Sequence, residues 1–176
     1  MLLDNNIFAE TGRIKFTSPS SGIDIEPWQN KEYSKIKDVI VLNNTIYNNV
    51  GSNIQIQCNT KFSDKEENNN IKIVNNTIYD DYKDEACVLK DTTNFIFENN
   101  KIGNEQHSIS LVFYQDKKLN VINNIIYGNL YLQDGNDSKI LNNNIFNNKQ
   151  INTSLWGEGA MIALNNPNTT INNNYI

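Results

Sequence analysis

Val41-Leu42-Asn43-Asn44-Thr45-Ile46 is a phrase to which this chain keeps returning. Ile73-Val74-Asn75-Asn76-Thr77-Ile78 nearly duplicates it. Phe97-Glu98-Asn99-Asn100-Lys101-Ile102, Val121-Ile122-Asn123-Asn124-Ile125-Ile126 and Ile140-Leu141-Asn142-Asn143-Asn144-Ile145 follow the same template. Ile171-Asn172-Asn173-Asn174-Tyr175-Ile176 carries it again, and Leu3-Asp4-Asn5-Asn6-Ile7-Phe8 is a looser copy. The second asparagine of each pair falls at Asn6, Asn44, Asn76, Asn100, Asn124, Asn143 and Asn174, in steps of 38, 32, 24, 24, 19 and 31 residues. Repeats of about 20–50 residues belong to stacked architectures, in which each unit buries its apolar face only against its neighbours. Short steps of 19 and 24 residues among longer ones describe a coil of constant girth carrying loops of variable length.

Ahead of each asparagine pair, apolar residues stand two apart: Val39 and Val41, Ile71 and Ile73, Phe95 and Phe97, Leu119 and Val121. Period-two runs rich in β-branched residues are strand signals. The asparagines then punctuate, because Asn tolerates left-handed backbone and forms local turns. Beyond them the chain is apolar again at Ile46, Ile78, Ile102, Ile126 and Ile145. Further strand-like runs follow, such as Ile54-Gln55-Ile56-Gln57, Leu111-Val112-Phe113-Tyr114 and Leu130-Tyr131-Leu132-Gln133. Three runs and a sharp corner per repeat predict an all-β fold, a parallel β-helix of about six to seven coils. Stacked at the strand spacing of about 4.8 Å, equivalent Asn amides would form a ladder at one corner. The competing solenoid is the leucine-rich repeat, whose core Ile71, Ile73, Asn76 and Ile78 also satisfy. Its nearly fixed length disagrees with steps of 19 to 38 residues, and the second half of each unit here alternates like a strand.

Length of 176 residues fits a single domain, 1–176, and 38% hydrophobic residues suffice for a core. Asparagine is in excess at 35 copies, whereas arginine occurs once, at Arg13. A net charge of −5 without a basic cluster argues against nucleic acid as a partner. No apolar run approaches the roughly 20 residues that span a bilayer, and Met1-Leu2-Leu3 runs straight into Asp4-Asn5-Asn6 without a signal peptide. Cys58 and Cys87 adjoin strand-like runs and are expected as buried free thiols. The first and last copies of the repeat sit close to the chain ends, with no capping helix. The expectation is a piece of a longer solenoid, or one whose ends meet flanking coils or a second copy.

Pro19-Ser20-Ser21-Gly22-Ile23-Asp24-Ile25-Glu26-Pro27, followed by Asn-Asn-x-Ile coils, resembles the right-handed parallel β-helix proteins of the pectate-lyase-like superfamily. It resembles in particular the polysaccharide-acting and phage tail-spike proteins that carry a Gly-Ile-Asp-Ile-Glu-Pro segment. The resemblance covers nearly the whole chain as fold, and as function it rests on that one segment. It implies a polysaccharide partner and an extracellular, cell-surface or virion setting, and it spans lyases, hydrolases, epimerases and silent binding modules.

Asp24 and Glu26 are the sharpest chemical signal. With Ile23 and Ile25 inward, both carboxylates point outward, about 6.5–7 Å apart along the strand. Glycosidic hydrolysis uses two carboxyls roughly 5–5.5 Å apart for retention or 6.5–9.5 Å for inversion. The same residues also fit a solvated strand face ended by Pro27. The next strand is expected to set Gln55 and Gln57 beside them. Ser110, Tyr114, Tyr131 and Gln133 continue the same face, with Trp28 at its lip, as candidates for binding sugar hydroxyls and rings. A non-catalytic glycan-binding module or spike shaft is the alternative. A lyase would need cationic neutralisation of a uronate, which a single Arg makes less attractive. His107 reads as a loop residue. No metal-ligand spacing, phosphate loop or cofactor motif is present, and Asp134-Gly135-Asn136-Asp137 reads as a turn rather than a calcium loop.

Overall fold

A computed structural model describes residues 1–11, 21–25, 36–57, 69–79, 85–106, 108–146 and 161–176; for Gln57, residues 85–89 and Ile162 it gives the strand path alone. Among these residues there is no helix, and strands recur in threes. The first circuit holds β1 (Leu2–Asp4), β2 (Ile7–Ala9) and β3 (Ile23–Ile25), and the second β4 (Lys37–Leu42), β5 (Thr45–Tyr47) and β6 (Ile54–Gln57). The third holds β7 (Asn69–Val74), β8 (Thr77–Tyr79) and β9 (Glu85–Lys90), and the fourth β10 (Thr93–Glu98), β11 (Lys101–Ile102) and β12 (Ser110–Tyr114). Then come β13 (Asn120–Ile122), β14 (Ile125–Tyr127) and β15 (Leu130–Gln133), followed by β16 (Lys139–Leu141), β17 (Asn144–Phe146) and β18 (Met161–Leu164). Last is β19 (Thr170–Asn172).

The chain deals these strands to three sheets in rotation. The first sheet is β1-β4-β7-β10-β13-β16-β19, the second β2-β5-β8-β11-β14-β17, the third β3-β6-β9-β12-β15-β18. All pairings are parallel, as in Val41↔Ile73, Ile46↔Ile78 and Ile56↔Leu89. An all-β chain with this strand order is compatible with a solenoid, since a parallel neighbour is reached only by going round.

The inward residues of all three sheets meet in one core. Val41, Ile73, Phe97 and Val121 come from the first sheet, Ile46, Ile78, Ile102 and Ile126 from the second, and Ile54, Leu111 and Leu130 from the third; all are fully buried. Phe95 and Phe97 of β10 pack edge-on against Phe113 of β12, at centroid distances of 5.9 and 6.0 Å. Each such side chain contributes about 1.5–3 kcal/mol through burial. Cys87 pairs in register with Ile54 and Leu111; Cys58 and His107 lie outside the described residues.

The turn from first to second sheet is made by the asparagine pair. Its first member is left-handed throughout, at Asn5, Asn43, Asn75, Asn99, Asn123, Asn142 and Asn173, with φ between 53 and 62°. Its second member points inward. Asn44 Nδ2 donates to Asn76 Oδ1 at 3.1 Å, Asn76 to Asn100 at 3.0 Å, and Asn100 to Asn124 at 3.2 Å. Asn124 donates to Asn143 and Asn143 to Asn174, both at 2.9 Å, and Asn6 donates to Asn44 at 3.1 Å. Each backbone N–H in the series reaches the same acceptor, for example Asn76 N to Asn100 Oδ1 at 2.9 Å.

Strands β4 and β7 begin earlier than the apolar pattern implies. Lys37-Asp38 and Asn69-Asn70 open them ahead of Val39 and Ile71, and Asp38 and Asn70 are left-handed. A second corner, between the third and first sheets, stacks Thr92, Asp116, Gly135 and Asn166. Thr92 N and Oγ1 donate to Asp116 Oδ1 at 2.8 and 2.7 Å, and Gly135 N donates to Asn166 Oδ1 at 3.1 Å.

Candidate functional site

The outward positions of the third sheet form two columns fixed by strand register. One runs Asp24, Gln55, Val88, Val112, Tyr131, Ile162, and the other Gln57, Lys90, Tyr114, Gln133, Leu164. Asp24 therefore sits directly beside Gln55, and Tyr114 directly beside Gln133. Alternation is the cause: Ile23, Ile54, Ile56, Leu111, Phe113, Leu130 and Leu132 take the inward positions, so their neighbours must face out.

Four side chains at the upper end are joined by hydrogen bonds. Tyr131 Oη donates to Gln133 Oε1 at 2.6 Å, and Gln133 Nε2 donates to Asp134 Oδ2 at 2.9 Å and to Tyr114 Oη at 3.4 Å. Asn165 Nδ2 adds a bond to Asp134 Oδ1 at 2.9 Å. Lys90 Nζ stands 5.6 Å from the centroid of the Tyr114 ring, within cation–π reach. Burial pushes the Tyr131 phenol up from its ordinary value, and Tyr114 and Asp134 act in the same direction.

The chain matches no protein-family model, no curated protein and no solved structure.

The expected site residues therefore fall into distinct groups. Tyr114, Tyr131 and Gln133 are in contact, and Asp24 and Gln55 are paired, both half-buried. Four strand spacings, roughly 19 Å, separate Asp24 from Tyr131, and beyond Gln55 the positions between them are Val88 and Val112. Ser110 does not join the strip: the register slips between Ser110 and Leu111, and Ser110 is 4% exposed. Bulges of this kind re-aim the residues around them. Tyr131 is also 4% exposed and Val112 2%, so the accessible polar groups are those of the second column, Lys90, Tyr114 and Gln133, all half-buried. Glu26 and Trp28 lie outside the described residues, as does the side chain of Gln57.

Lys90 and Asp134 are functional candidates that the residue patterns passed over. Both stand at the junction of strand and corner, Lys90 just before left-handed Asp91 and Asp134 itself left-handed. The asparagine register, extended one strand further, puts Lys90 level with Tyr114. Among the described residues no group of three or more His, Cys, Asp or Glu is placed to hold a metal ion.

Proposed function

We propose that the chain is a stretch of right-handed parallel β-helix, of the pectate-lyase-like kind it resembles, whose Asn column is the corner ladder and whose third sheet binds a polysaccharide. The observation that supports this most is the joined group Tyr114, Tyr131, Gln133 and Asp134 beside Lys90. Amide, phenol, carboxylate and ammonium groups together offer donors and acceptors to sugar hydroxyls, and Tyr114 offers a ring face. A ligand reaching from this group to Asp24 must be long, because the two lie roughly 19 Å apart. That favours an extended glycan over a monosaccharide.

Cleavage by Asp24 and Glu26 is the second reading, favoured by the placement of Asp24 on the outer face beside the Gln55 amide. The experiment that separates them uses a polysaccharide panel with Asp24→Asn/Glu26→Gln and Gln133→Ala. Sugar release by the native chain that disappears with the double carboxylate change supports cleavage. Retention of polysaccharide without release, weakened by Gln133→Ala, supports binding alone. No retention and no release sinks both.

A further inference from the structure

The outer face of the second sheet carries a row of aromatic rings with one rung missing. Tyr47 and Tyr79 stack at 5.1 Å with their planes 1° apart, and Tyr127 and Phe146 stack at 5.1 Å and 27°. All four occupy one outward column, since Tyr47 pairs with Tyr79, Tyr127 with Phe146, and Ile102 with both Ile78 and Ile126. The rung between Tyr79 and Tyr127 falls at the residue after Ile102, which is Gly103. Gly103 has no side chain to offer the row, and its φ of 70° turns the chain away. One face of the Tyr127 ring is covered by Phe146; the other looks toward this vacant rung.

A cavity of about 300 Å³ opens there, lined by Lys101, Asn104, Glu105, Gln106 and Tyr127. That volume lies at the lower end of the range for small-ligand sites, suited to a single ring and its substituents. Lys101 supplies donors only and an ionised Glu105 acceptors only, while amide side chains supply both. A phosphate or sulfate would meet Glu105, and a bare aromatic ring would leave these polar groups unmatched. A pyranose fits: its C–H face stacks on the phenol ring, and its hydroxyls both give and take hydrogen bonds.

We propose that the cavity between Tyr127 and the Asn104-Glu105-Gln106 turn is a second carbohydrate site, one that takes a single pyranose ring into the place of the missing aromatic rung. It stands on a different sheet from the strip described above and does not depend on that strip.

The test is a backbone-amide NMR titration of the intact chain with methyl α-glucopyranoside, methyl α-galactopyranoside and methyl β-N-acetylglucosaminide. Shifts clustered at Lys101, Gly103, Glu105 and Tyr127 with at least one sugar are expected. Tyr127→Ala should weaken that binding by about tenfold, the equivalent of one stacked ring, while Tyr127→Phe retains it. Lys101→Ala with Glu105→Ala changes two exposed side chains, keeps the test valid if Tyr127→Ala unfolds, and should also abolish the shifts. Absence of shifts with all three sugars overturns the proposal, as does a response that survives both variants. Shifts confined to Gln55, Tyr114 and Gln133 overturn it while upholding the third-sheet strip; shifts confined to residues 101–106 and Tyr127 uphold it, whatever the polysaccharide panel shows for the strip.

Discussion

Asp116 Oδ1 accepts both the backbone N–H of Thr92, at 2.8 Å, and the Thr92 hydroxyl, at 2.7 Å, tying two successive circuits together at the second corner. Asp116 is 2% exposed, and its other oxygen has no hydrogen-bond partner among the described residues. Burial drives its carboxyl up to about 7; the Thr92 bonds pull it back and the Asp91 charge adds to the rise. The folded chain therefore holds a proton that the unfolded chain releases near the ordinary value of 3.8. Stability is fullest below that value, declines as pH rises toward 7, and is flat above. Urea unfolding between pH 4 and pH 8 should show this decline, on the order of a few kcal/mol.

Asp116→Asn should remove the decline and stabilise the chain at pH 8. The new amide keeps an oxygen for Thr92 and gains N–H groups that can reach the Tyr114 carbonyl two residues back. Asn166, in the same column, donates in that way to Leu164 O at 2.6 Å. An unchanged pH profile in the variant would show that Asp116 is not the group responsible.

Asn100→Ala should cost about 2–4 kcal/mol, because several partners are orphaned together. Asn100 Oδ1 accepts from Asn76 N and Nδ2 at 2.9 and 3.0 Å, and its Nδ2 donates to Ile73 O at 2.8 Å. Asn6→Ala, at an exposed rung that only donates, should cost under about 1 kcal/mol. Equal losses at the two positions, in urea melts of unchanged slope, would contradict the role given to the buried amides.

Among the described glycines, Gly128→Ala should be the most damaging substitution. A Cβ there would fall against the backbone N, C and O of Ile109, and φ is +147°, a conformation that L side chains rarely adopt. The neighbouring strand cannot yield without breaking Ile109 N to Tyr127 O at 2.8 Å. A loss above about 3 kcal/mol is expected, as for other backbone clashes in a packed interior.

Tyr131→Phe should cost about 1–2 kcal/mol, leaving Gln133 Oε1 without its 2.6 Å donor. With the folded phenol raised above its ordinary value of 10.0, ionisation opposes folding, so native stability should fall as pH rises past 10.0. Phenolate absorbance titration of native and variant chains reads the effect: the variant should lack a phenol that titrates above its ordinary value.

The strand core was legible because two rules reinforce each other. Val39/Val41, Ile71/Ile73 and Phe95/Phe97 alternate as strands must, and the asparagine pairs mark where the chain leaves the first sheet. The second corner was not legible, because Thr92, Asp116, Gly135 and Asn166 share a place without sharing a residue type. Each meets the neighbouring circuit differently: Thr92 by hydroxyl, Asn166 by amide, Gly135 by having no side chain at all. In the candidate site, the sequence placed Gln55 beside Asp24 and put Tyr114 and Gln133 on one face, and the strand register pairs both. It could not show that Ser110 and Tyr131 are buried, since period-two alternation tells which way a residue points and not what covers it.

The asparagine series also gives the long axis of the molecule a direction. Within it each Oδ1 from Asn44 on accepts from the lower-numbered asparagine, and each Nδ2 from Asn6 to Asn143 donates one N–H to the Oδ1 of the next, so the carboxamide C=O groups all face the same way. From Asn44 on, the second N–H turns back to a lower-numbered carbonyl, as Asn76 does to Val41 O at 2.9 Å. The carbonyl end of the series therefore lies beside Asn6 and its N–H end beside Asn174, so the two ends of the column are chemically unlike.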